Sequence, residues 1–187
     1  WRRGEHYTEG WWNENITISH NRFGELIRKH AHEFVCKIGR RKQALRIVHN
    51  INQFFGQIGG ETEAGHPLEV RDGIVGPGMA LKQQIGDNEI VATIICGDNY
   101  FVENIDTVKP KLVNILKEYE ADMLVAGPAF NAGRYGMACG NACQIANEEL
   151  GIETVSGMFE ENPGMEMYRK YAYIVPTNNN ARGMKDA

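Results

Sequence analysis

The sequence predicts a three-layer α/β domain with a mostly parallel, Rossmann/flavodoxin-like sheet, preceded by an amphipathic helix. Three observations carry this. Short, continuous, β-branched apolar runs recur from residue 44 onward, as in strands covered on both faces. Between them lie segments whose apolar residues fall at helical spacing. A long glycine-rich connection follows the first strand, where doubly wound folds gather ligands outside the carboxyl ends of the strands.

The elements follow in chain order. From Asn21, the residues Phe23, Leu26, Ile27, Ala31, Phe34, Val35 and Ile38 form one helical face, with Ser19 or Asn21 as cap and Gly39 as stop. This predicts a helix over about 21–39 within an extension of residues 1–43. Such a face must be covered by the following domain or by another subunit, the second making a homo-oligomer. Residues 44–187 then form the α/β domain. Strands are predicted at Ala44–Ile51, Glu89–Cys96, Met123–Ala126, Ile152–Val155 and Tyr171–Val175. Helices are predicted at Thr107–Tyr119, with Pro110 tolerated in its first turn, and at Tyr135–Leu150, closed by Gly151. Phe54 to Leu81, dense in glycine, is expected to be an irregular loop, and its segment Gly56 to Gly78 to be less ordered than the strands.

The 187 residues suit one domain plus an extension, and their 42% hydrophobic content excludes disorder. The net charge of -4 divides unevenly: residues 1–44 hold nine basic against five acidic side chains, and the remainder eleven against nineteen. The acidic domain argues against nucleic-acid binding, which needs clustered Lys and Arg. The run Arg40, Arg41, Lys42 reads as a solvated helix end. No apolar run reaches the ~18 residues of a membrane span, and nothing resembles a signal peptide, so a cytoplasmic protein is expected. Beginning on Trp1, the chain is expected to be a fragment or to have lost a leader. Cys36, Cys96, Cys139 and Cys143 are too scattered for a disulfide framework. His30 and His32 lack partners at ligand spacing, and no metal site is expected.

Candidate chemistry lies in the segments after the strand ends, which parallel strands bring to one rim. These hold Glu61, Cys96, Asp98, Asn99, Asn131 and Arg134, a plausible polar pocket for a small zwitterion or acid. Gly127–Gly136 matches neither a dinucleotide fingerprint nor a phosphate loop. Arg134, at a helix start, either holds an anion or pairs with a nearby acid. Cys139 and Cys143, four apart on one helix face, read as a thiol pair, as soft-metal ligands or as core residues. Cys96 is open between rim exposure and burial. Cys139 and Cys96 are expected to be partly exposed, Cys143 to be packed.

The segments NQFFGQIGGE, GPGMA, IICGDNYF, AGPAFNAGRYGMACGNAC and GMFEENPGMEMY, in unbroken order between about Leu45 and Lys185, resemble the amino-terminal part of the selenoprotein B subunit of glycine/sarcosine/betaine reductase from anaerobic bacteria. The resemblance implies an oxidoreductase subunit of the substrate-specific component B, acting in reductive C–N cleavage of glycine or an N-methylated glycine and leading to acetyl phosphate. It implies a pyruvoyl-containing component B subunit and selenoprotein A as partners, a small amino acid as substrate, and thioredoxin-type thiols as electron source. On this reading Cys96 and Cys139 are the candidate catalytic residues. Asn131, Arg134, Glu61, Asp98 and Asn99 are the candidate substrate-binding residues. Two departures stand out: the family's selenocysteine half is absent, and residues 1–43 match nothing in the family. The chain alone is therefore expected to be inactive, either as a truncated frame or as a stand-alone, non-catalytic ligand-binding or interaction protein with the same fold.

Overall fold

A computed structural model describes residues 44–179. The helix expected at 21–39, with His30, His32 and Cys36, lies outside the described residues. Within them, six strands form one sheet: β1 (Arg46–Asn52), β2 (Glu69–Asp72), β3 (Glu89–Cys96), β4 (Met123–Phe130), β5 (Glu153–Met158) and β6 (Tyr173–Pro176). Five helices join them: α1 (Gly78–Gln84), α2 (Asp98–Glu103), α3 (Ile105–Glu118), α4 (Gly133–Leu150) and α5 (Pro163–Tyr168).

The strand order is β2-β3-β1-β4-β5-β6. All neighbours are parallel except β2, which runs antiparallel to β3. Taken alone, the five parallel strands follow the order 2-1-3-4-5, with the chain reversing its direction of travel across the sheet at β1 and β4. Alternation along the strands divides the core between the two faces. On one face Val48, Ala92, Ile94 and Leu124 pack against Val108, Leu112 and Leu116 of α3 and Ala138, Ala142 and Ala146 of α4. On the other, Ile47, Ile90, Met123 and Val125 join Leu81 and Ile85 of α1.

The predicted strands and the two long helices are present, with shifted ends. The connection after β1 differs from the expected irregular loop. It contains a 3-10 turn at Glu61–Glu63, the antiparallel strand β2 and helix α1. It is also strapped to the β3–α2 corner: the Ala64 carbonyl accepts from the Asn99 and Tyr100 amides at 3.0 and 3.1 Å, and the His66 carbonyl accepts from the Gly97 amide at 2.8 Å. Gly97 makes this closeness feasible, since a Cβ there would sit 2.2 Å from the Ala64 carbonyl oxygen. Glycine acts here by permitting close approach rather than looseness.

The end of β4 is fixed from outside the sheet. Phe130 has φ of 50°, a left-handed conformation unfavourable for a side chain of its size. Buried Asn162 holds it, donating from Nδ2 to the Phe130 carbonyl at 2.8 Å and to the Ala132 carbonyl at 3.2 Å. The same side chain caps α5 by accepting from the Gly164 amide at 2.9 Å.

Candidate ligand-binding rim

The parallel strands bring the segments after β1, β3 and β4 together beside the point where the strand order reverses, the place where open α/β sheets form a crevice. Asp98 is the first residue of α2 and Arg134 the second of α4. Arg134 donates from Nη1 to Asn99 Oδ1 at 3.0 Å, and its other terminal nitrogen pairs with Glu61. The guanidinium of α4 thus joins the loop after β1 to the helix after β3. Both side chains of the Arg134–Glu61 pair are more than half exposed, so the pair adds little stability and a ligand anion can compete for it.

Asp98 sits deeper. Its Oδ2 accepts from Asn52 Nδ2 at 3.4 Å, and its backbone amide donates to Gln53 Oε1 at 3.3 Å. Burial pushes its carboxyl up to about 6, with Glu61 adding to the rise, against the downward pull of the Asn52 hydrogen bond and the Arg134 charge. Asn52 is further fixed by accepting from the Phe55 amide at 3.1 Å.

Glu61, Asp98, Asn99 and Arg134, all named from sequence, therefore meet in one place. Asn131 is exposed on the turn between β4 and α4. The thiols fall elsewhere than expected. Cys139 and Cys96 are buried, at 0% and 3% exposure, rather than partly exposed. Cys143 is buried as expected. The cause is packing: α4 lies flat on the sheet, so Cys139 and Cys143 face Ala126, Ala129 and Met158, while Cys96 turns inward beneath α2 beside Phe101. Burial pushes the Cys96 and Cys143 thiols up to about 12 and Cys139 well above its ordinary value.

Gln53, Asn50 and Tyr135 also belong to this region. Asn50 carried a usable signal, a buried amide inside an apolar strand run, which needs a partner or a purpose. Tyr135 carried none, because the sequence does not show which face of α4 turns inward at its first turn. Among the described residues, no group of three or more His, Cys, Asp or Glu could hold a metal ion. No helix there is long and apolar enough to cross a membrane.

Comparison with known proteins gives a consistent answer. A family profile described as glycine/sarcosine/betaine reductase selenoprotein B matches residues 44–187. The glycine reductase complex component B subunit gamma of Symbiobacterium thermophilum is 57% identical over 144 residues, 76% of this chain and 34% of the relative. The sarcosine reductase complex component B subunit beta of Peptoclostridium acidaminophilum is 50% identical over 144 residues, 76% of this chain and 33% of the relative. The betaine reductase complex component B subunit beta of the same organism is 42% identical over 135 residues, 72% of this chain and 31% of the relative. The chain spans about a third of the length of these relatives. No solved structure matches it.

Proposed function

The chain belongs to the glycine/sarcosine/betaine reductase selenoprotein B family, and on that premise we propose that its rim holds the carboxylate of glycine or an N-methylated glycine for reductive C–N cleavage within component B, on the way to acetyl phosphate. The observation that carries this reading is the convergence of Arg134, Asn99, Glu61 and Asp98 from three strand ends onto one polar rim. Arg134 presents a planar fork suited to a carboxylate, beside Asn99 and the amides around Asn131 at the start of α4. Asp98 lies behind it as a carboxyl able to exchange a proton near neutrality.

The redox step is assigned to other groups. The buried Cys96 and Cys139 are held as neutral thiols, poor nucleophiles, so their proposed part is packing rather than turnover. A pyruvoyl group on a partner subunit supplies, where present, a carbonyl able to engage an amine. Selenoprotein A supplies a selenol to receive the carboxymethyl group. This chain's residues bind and orient the acid end of the substrate, in a cytoplasmic complex.

Calorimetric titration of the 187-residue chain with glycine, sarcosine and betaine tests the reading. Arg134→Lys keeps the charge but loses the fork, and affinity is expected to fall by roughly 1–3 kcal/mol, as for a lost charge-assisted hydrogen bond. Equal affinity of wild type and variant would exclude Arg134 as the carboxylate ligand.

A further inference from the structure

A mostly parallel sheet is apolar on both faces and needs cover on both. On the face that carries Val48 and Leu124, the long helices α3 and α4 supply it. On the other face the described cover is short. Helix α1, seven residues long, is seated between β1 and β3: a Cβ at Gly78 would lie 3.1 Å from His49 Nδ1 and 3.6 Å from the Ile90 side chain. With its side chains a helix is roughly 10–12 Å wide and neighbouring strands lie about 4.8 Å apart, so one helix covers about two strands.

Val155 of β5 and Val175 of β6 stand two and three strands beyond β1, roughly 10 and 14 Å away. Both point to the α1 side of the sheet, since Val155 is in register with Val125, and Val175 with Gly157, two positions further along β5. They are nevertheless 1% and 2% exposed. Among the described residues no helix lies over them on that side, because α4 and α5 pack from the opposite face through Cys139, Cys143 and Met165. Burial this complete within a single chain requires cover from residues of the same chain outside 44–179. Residues 180–187 offer one large apolar side chain, Met184. Residues 21–39 offer a whole helical face, with Phe23, Leu26, Ile27, Phe34, Val35 and Ile38 on it.

We infer that the segment 21–39 docks across β4, β5 and β6 as the cover of this face, in its own chain rather than on a second copy. The reach suffices: the six residues 40–45 that join the segment to β1 span up to about 20 Å, more than the distance from β1 to β6. The length suits as well. Nineteen residues at helical rise extend about 28 Å, matching the roughly 26 Å of the eight-residue β4. Charge favours the same pairing, since residues 1–44 hold nine basic against five acidic side chains and the remainder eleven against nineteen. The inference concerns the face of the sheet and is independent of the reading of the rim.

Isotope-edited NMR of the full 187-residue chain tests it. Nuclear Overhauser contacts are expected from the Val155 and Val175 methyl groups to the ring protons of Phe23 or Phe34 in labelled protein. They are expected to vanish in a mixture of labelled and unlabelled chains filtered for contacts between molecules. Contacts that survive the filter would make the occupant a second copy and overturn the inference. Contacts to Trp11, Trp12 or Met184 with none to residues 21–39, or no contacts at all, would overturn it too. Leu26→Asp and Phe34→Asp each place a charge in the apolar contact. Amide exchange in β5 and β6 is expected to quicken at least tenfold in both variants while β3, beneath α1, keeps its rate. Unchanged exchange in β5 and β6 would overturn the inference, and the wild-type contacts decide it if a variant fails to fold.

Discussion

Arg134 and Glu61 set a competition that a single residue can tilt. The Glu61 carboxylate occupies the fork that the proposed substrate needs, yet the pair is exposed and weak. Glu61→Gln is therefore expected to tighten acetate and glycine binding by about 0.5–1 kcal/mol, seen by calorimetry as a lower Kd. Weaker binding in this variant would mean that Glu61 orients Arg134 rather than blocking it. The thiols make a second test at this scale. With all three buried and pushed up, native iodoacetamide labelling with peptide mapping is expected to leave Cys96, Cys139 and Cys143 unmodified while unfolded chains react quickly. Rapid native labelling of Cys139 would restore it as a candidate nucleophile. Glu61, Asp98, Asn99 and Arg134 were legible in the sequence because parallel strands force their trailing segments to one rim. The thiols and Tyr135 were not, because their orientation depends on how α4 rolls on the sheet, which short-range spacing does not fix.

Among the elements, α4 carries the most constraint. Gly136 and Gly140, one turn apart on its face toward α5, admit that short helix and its cap: a Cβ at Gly136 would lie 2.0 Å from Asn162 Oδ1, and one at Gly140 would lie 2.0 Å from the Tyr168 ring. Since Asn162 also holds the left-handed Phe130, the fit of α5 onto α4 sets the shape of the turn that presents Arg134. Gly140→Ala is expected to destabilise the fold by roughly 1–3 kcal/mol through overpacking, although alanine is the better helix former. Urea unfolding checks this, and a stabilised variant would show that Tyr168 moves aside freely. The long helices α3 and α4 and the buried strands were legible from periodicity. Helices α1 and α5 and strand β2, four to seven residues each, were not, because so few residues show no period and owe their form to what they pack against.

For the whole molecule, two buried groups on opposite faces of the sheet act against each other as pH changes. His49 donates from Nε2 to the Gly127 carbonyl at 2.7 Å, its Nδ1 has no partner among the described residues, and burial lowers it to about 4. As pH falls from 6.5 through 4, the unfolded chain gains a proton that the folded one refuses, and stability is lost. Asp98 is raised from 3.8 to about 6. As pH falls from 6 through 3.8, the folded chain gains the proton first, and stability rises. Each shift corresponds to roughly 3 kcal/mol, so the two nearly cancel over the same interval. Asp98→Asn is expected to be more stable than wild type by roughly 2–3 kcal/mol at pH 7.5, with the gap closing by about pH 4. Urea unfolding at a series of pH values measures this, and a gap that does not change with pH would remove Asp98 from the list of shifted groups. The antiparallel β2 has a consequence of another kind. A neighbouring molecule approaching that margin of the sheet meets a strand of only four residues carrying Glu69, Arg71 and Asp72, while the opposite margin ends at Pro176, which has no amide hydrogen to offer. Among the described residues, both margins of the sheet are thus short strands broken by charge or by proline, which disfavours lateral growth of the sheet into ribbons in a crowded solution.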